Sequence, residues 1–137
     1  MDIELISRYK ENVVKVVDTL NKAGENLFKK GKVLGYGAVT DRIYHTISND
    51  PETEWSEYPV AHAFFKFGDN LNSNYIVLSA RIRKEEKHHF NVSYQVLPNL
   101  PELGNYSLPK YPQKAVYYRE RKYLEEMLID LIEENRK

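Results

Sequence analysis

The sequence contains no cysteine. That excludes a disulfide framework, a thiolate zinc site, an iron–sulfur cluster and a cysteine nucleophile, and it fits a reducing compartment. The chain also lacks a net charge, since twenty Lys and Arg residues balance twenty Asp and Glu. Duplex-binding domains usually carry a basic surplus, so the balance counts against one. The first thirty residues carry charge throughout, and no apolar run is long enough for a signal peptide or a membrane span. The expectation is a soluble, cytoplasmic protein with no membrane partner. Internal repeats, low-complexity tracts and linkers are missing as well. The 137 residues therefore read as one domain, 1–137. A domain of this size buries about 68% of the surface its unfolded chain exposes and needs no covalent staple.

Motifs for chemistry are equally scarce. Gly35-Tyr36-Gly37 lacks the third glycine of a dinucleotide loop and the lysine of a phosphate loop, so a tight turn or bulge is the better reading. His88 and His89 are adjacent in a strand-like stretch and point to opposite faces, so they cannot chelate one ion together. His62 shares a face with His89, but no Asp or Glu on that face completes a metal set. His45 has no obvious partner. Glu85-Glu86 reads as a solvated hairpin tip. No catalytic residue, metal or cofactor is expected.

What the chain does have is alternation. Between Val60 and Val96 three apolar/polar repeats follow one another. Ala61, Ala63, Phe65 and Phe67 share one face of the first. Ile76, Leu78, Ala80 and Ile82 do so in the second, and Phe90, Val92, Tyr94 and Val96 in the third. A one-residue slip would turn a whole apolar face outward, so register can be read too. Ile82 opposite Phe90 also pairs Leu78 with Tyr94 and Arg81 with Asn91. Phe65 opposite Leu78 places His62 beside Arg81.

Helical periodicity flanks this meander. Ile6, Tyr9, Val13, Val16, Leu20, Ala23 and Leu27 recur at steps of three and four, widened by Leu5, Val17 and Phe28, and predict a helix over residues 3–30 ending at Gly31. Prolines at 98, 101, 109 and 112 make the stretch 98–112 an extended loop. A final helix is expected from about Pro112 to Asn135, with Tyr117, Leu124, Met127, Leu128, Leu131 and Ile132 on its apolar side. Residues 33–39 suit a short glycine-interrupted strand, and Thr40 or Asp41 could cap a short helix to Ile47. The fold class is α+β: an antiparallel meander of three to four strands, with a long N-terminal and a long C-terminal helix packed on one face. The last helix is basic early and acidic late. A parallel first helix would set Lys29, Lys30 and Lys32 beside its acidic end, so the helices are expected to run the same way.

Two surfaces stand out. The polar face of the meander collects His62, Lys66, Arg81, Arg83, His89 and Asn91, with Ser93 and Gln95. The loop before it holds Asp50, Glu52, Glu54 and Glu57 around Trp55 and Tyr58, an acidic hook with aromatic anchors for a basic partner. Eleven tyrosines add contact area at low entropic cost, and Tyr106, Tyr111, Tyr117, Tyr118 and Tyr123 cannot all fit one helical stripe. Together these features favour a small non-enzymatic binding protein of the inhibitor, immunity or adaptor type, docking on a protein partner. One alternative is a single-stranded nucleic-acid binder, with Phe64 and Tyr75 stacking on bases beside Lys66, Arg81 and Arg83. The other is a small-ligand binder or enzyme with a pocket beside residues 33–59, using His62, Arg81 and Tyr44.

Overall fold

The structure, a computed structural model, describes residues 3–40, 61–68, 73–82, 88–98 and 113–135. Helix α1 spans Ile3–Lys29. Its Val13, Val16, Leu20, Ala23 and Leu27 are buried, the steps of three and four that the sequence predicts. Phe28 departs from that stripe and is about half exposed, its ring 6.2 Å from that of Tyr36. The side chains of Leu5, Ile6 and Tyr9 lie outside the described residues.

The helix ends as expected. Gly31 adopts φ 71°, a left-handed conformation that costs glycine little. The Lys32 amide donates to the Leu27 carbonyl at 2.8 Å, and the Gly31 amide to Phe28 at 3.0 Å, which satisfies carbonyls the helix leaves open. The Leu34 amide then donates to the Lys66 carbonyl at 2.7 Å, so the chain turns from helix into sheet within residues 30–34.

The sheet has five antiparallel strands in sequence order: β1 Gly35–Thr40, β2 Ala61–Gly68, β3 Ser73–Arg81, β4 His89–Leu97 and β5 Gln113–Tyr117. The fold is α+β as expected, with more strands than the three or four anticipated. The extra one is β5. Its residues were expected to open the final helix, yet they pair with β4, Val116 opposite Phe90 and Tyr117 opposite His89. A five-residue segment is too short to display a period, and an available strand edge decided its state. Gly35 and Gly37 correct a second expectation, for they form neither turn nor bulge. Both sit in a regular ladder, opposite Lys66 and Phe64.

The β3–β4 register is the expected one, with Ile76 opposite Val96, Leu78 opposite Tyr94 and Arg81 opposite Asn91. The β2–β3 register lies two residues away from expectation. Phe65 faces Ile76, and His62 faces Ser79 instead of Arg81. A two-residue slip keeps every side chain on its own face, so alternation could not detect it.

After β5 come one 3-10 turn, Tyr118–Glu120, and helix α2, Arg121–Glu134. Leu124, Leu128 and Ile132 of α2 join the residues of α1 and the inner sheet face in one core, which includes Phe65, Phe67, Ile76, Leu78, Ile82 and Phe90. Both helices cover this inner face. Gly24 lets α1 approach β1 closely, since a Cβ there would stand 2.4 Å from the Tyr36 ring. Asn26 of α1 donates to the Glu125 carboxylate of α2 at 3.4 Å. Earlier α1 residues, Lys15 to Lys22, share a groove with Tyr117 to Arg121. The contacts thus advance along both helices together, and α1 and α2 run the same way. An odd number of meander strands with short connections at both ends requires this, and adding two strands to three leaves the parity unchanged.

Candidate functional site

The outer sheet face is assembled by the pairing itself. Strand side chains alternate, so the register fixes which residues share this face. One row crosses all five strands: Val39, His62, Ser79, Ser93 and Gln113. Gly37, Phe64, Val77 and Gln95 form a second, and Gly35, Lys66, Tyr75 and Leu97 a third. On the other side of the first row lie Arg81, Asn91 and Ala115, then His89 and Tyr117.

Five of the expected site residues, His62, Lys66, Arg81, His89 and Asn91, therefore occupy one face, and all five are half-buried. Trp55, Tyr58 and Arg83 lie outside the described residues. So do the acidic loop around Trp55, the short helix expected to end at Ile47, His45, the Glu85-Glu86 tip and Tyr44.

The face is not the uniformly solvated surface that its polar residues suggest. Val77 is 2% exposed and Ser79 4%. Val77 lies between Phe64 and Gln95, and Ser79 between His62 and Ser93. His62 Nδ1 and Ser79 Oγ are hydrogen-bonded at 3.0 Å, which satisfies the buried hydroxyl. This contact exists because of the observed register, which the sequence reading missed.

Aromatic groups gather at both ends of the strip. At one end the Phe64 and Tyr75 rings meet edge to face, centroids 6.4 Å apart, with the Lys66 ammonium 6.0 Å from the Tyr75 centroid. Phe64 lies over Gly37, where a Cβ would come within 2.7 Å of its ring. At the other end the His89 and Tyr117 rings are 5.1 Å apart. Tyr117 is the functional candidate that the sequence reading misplaced. Once β5 is a strand, alternation puts Tyr117 on the outer face, 47% exposed. Tyr123 is also exposed, whereas Tyr118 turns inward against Phe90, centroids 5.4 Å apart. Tyr106 and Tyr111 lie outside the described residues.

Charge on the sheet is of one sign. None of the five strands contains Asp or Glu. The outer face carries Lys66 and Arg81. From Tyr75, the neighbour of Lys66, to Arg81 is six residues of β3, or about 20 Å at the rise of a strand. The two cations cannot converge on one small group. His88 and His89 diverge as adjacent strand residues must, His88 lining the groove beside α1 and His89 meeting Tyr117 on the outer face. Among the described residues no group of three or more His, Asp or Glu side chains is placed to hold a metal ion. Among them, too, no helix is long and apolar enough to cross a membrane.

Compared with known proteins, the chain matches no family model, no curated protein and no solved structure.

Proposed function

We propose that this is a small, non-enzymatic binding protein of the inhibitor, immunity or adaptor type, which docks the outer face of its sheet on an acidic surface of a protein partner. The observation that carries the reading is a face built from five strands, none of which contains Asp or Glu among the described residues, with a cation near each end. Protein interfaces are depleted in Asp and Glu at their centre and enriched in aromatic residues and Arg. Phe64, Tyr75, Tyr117 and Arg81 supply that composition. Their spread of about 20 Å along β3 suits an extended partner better than a small ligand. The absence of cysteine supports a cytoplasmic setting.

A second reading has its own support. The Phe64–Tyr75 pair with Lys66 alongside resembles the stacking element of single-strand binders. The described residues of the face hold two Lys/Arg cations, which make for few phosphate contacts, so the protein partner is preferred.

The test compares wild type with the double variant Tyr75→Ser/Arg81→Ser in an affinity capture from the native host, read by mass spectrometry. A protein retained by wild type and lost with the variant is the expected result. Equal retention by a folded variant would remove the outer face as the docking surface. Anisotropy with a single-stranded oligonucleotide across a salt series decides the second reading, because counterion release makes phosphate binding fall steeply with salt.

A further inference from the structure

At the edge of the sheet, sharing Tyr117 with the outer face, an open groove of about 850 Å³ runs between α1 and the start of α2. This volume falls in the range of small-molecule sites. Lys15 and Lys22 line one wall, Arg119 and Arg121 the other, with His88 and Tyr117 between them. We propose that this groove binds a small organic phosphate, with the phosphate held between Lys15 and Arg119.

Two of the four cations that line the groove are already committed. Among the described residues, Asp18 and Glu120 are the carboxylates that line the groove. Asp18 is paired with Lys22 at 3.0 Å. Arg121 is paired with Glu125, its Nε 3.3 Å from a carboxylate oxygen that Asn26 also approaches. The Thr19 hydroxyl is satisfied by the Lys15 carbonyl at 2.7 Å. No ion pair among the described residues engages Lys15 or Arg119. These are the cations left to meet a ligand, one from each wall. Glu120 stands between Arg119 and Arg121 at the N-cap of α2, so an anion held at Arg119 has this carboxylate as a neighbour. A guanidinium and an ammonium from opposite sides suit the several oxygens of a phosphate dianion. The volume far exceeds one phosphate, and the exposed Tyr117 ring offers an apolar wall for an organic substituent.

The test is an amide chemical-shift titration of the whole chain with inorganic phosphate, phenyl phosphate and phenol. Saturable shifts at residues 15–22 and 117–121 are expected for both phosphates, with phenyl phosphate the tighter and phenol without effect. Lys15→Gln/Arg119→Gln should weaken phenyl phosphate about tenfold or more, the loss expected for hydrogen bonds between charged groups. Lys66→Gln/Arg81→Gln should leave it unchanged, which separates this groove from the outer sheet face. The proposal is overturned by no saturable shift at about 10 mM phenyl phosphate, a concentration that fills most of a millimolar site. It is overturned equally by full affinity in the Lys15/Arg119 variant. Should that variant fail to fold, the Lys15→Gln single variant on the exposed side of α1 gives the same reading.

Discussion

The two faces of this sheet are made by the same strands and differ in what lies over them. On the inner face α1 and α2 cover Phe65, Ile76, Leu78 and Phe90, all of them buried to 1% exposure or less. On the outer face only the central strand is closed, at Val77 and Ser79, and around it half-buried aromatic and cationic side chains remain within reach of solvent. Burial on the inner face comes from a second layer. At the centre of the outer face the buried pair sits among side chains of the same layer, Phe64 and His62 on one side and Gln95 and Ser93 on the other.

Mutations can break or sharpen this contrast. The largest effect is expected on the inner face. Leu78→Ala should lower the unfolding free energy by about 2–5 kcal/mol, measured by urea denaturation, because it removes a fully buried side chain and leaves a cavity. A loss near zero would mean that the helices do not cover this face. Next comes the centre of the outer face, where Val77→Ala should cost about 1–2 kcal/mol for the buried methyl groups lost. A neutral result would return the outer face to an ordinary solvated surface.

Two glycines sharpen the comparison further. Alanine is favoured over glycine in a helix by about 1 kcal/mol. At Gly24, however, a Cβ would stand 2.4 to 2.8 Å from the Cδ2, Cγ and Cβ atoms of Tyr36, the base of a side chain that cannot swing away. Overpacking of this kind costs about 1–3 kcal/mol, so Gly24→Ala should destabilise by about 1 kcal/mol net. At Gly37 the added Cβ meets mainly the far edge of the Phe64 ring, which can move on the half-open outer face. Gly37→Ala should therefore cost less than Gly24→Ala in the same denaturation experiment. The reverse order would show the outer face to be the more rigid one. The smallest effect belongs to Lys66→Gln, expected within about 0.5 kcal/mol of wild type. A larger loss would assign Lys66 to stability instead of binding.

The candidate site is partly legible in the sequence. His62, Lys66, Arg81, His89 and Asn91 were assigned to one face by alternation, and the strand pairing places them there. Tyr117 escaped because residues 113–117 were read as helix, and helical periodicity assigns it to an apolar stripe. The His62–Ser79 hydrogen bond escaped because the β2–β3 register was placed two residues off. The burial of Val77 and Ser79 escaped because alternation says which face a side chain takes, not how deeply it is covered.

The sequence by itself determined the α+β class, the extent and stop of α1, the faces of β2, β3 and β4, and the β3–β4 register. Each of these rests on a local period or a local terminator, and such signals lie within a few residues of one another along the chain. Tertiary structure decided the rest. It drew Gln113–Tyr117 to the free edge of β4, seated α1 on Tyr36 through Gly24, and chose between two β2–β3 registers that differ by one full repeat of the alternation. In each case the competing arrangements satisfy the same local pattern. Only contacts between segments far apart in the chain distinguish them, and those contacts exist once the elements have packed.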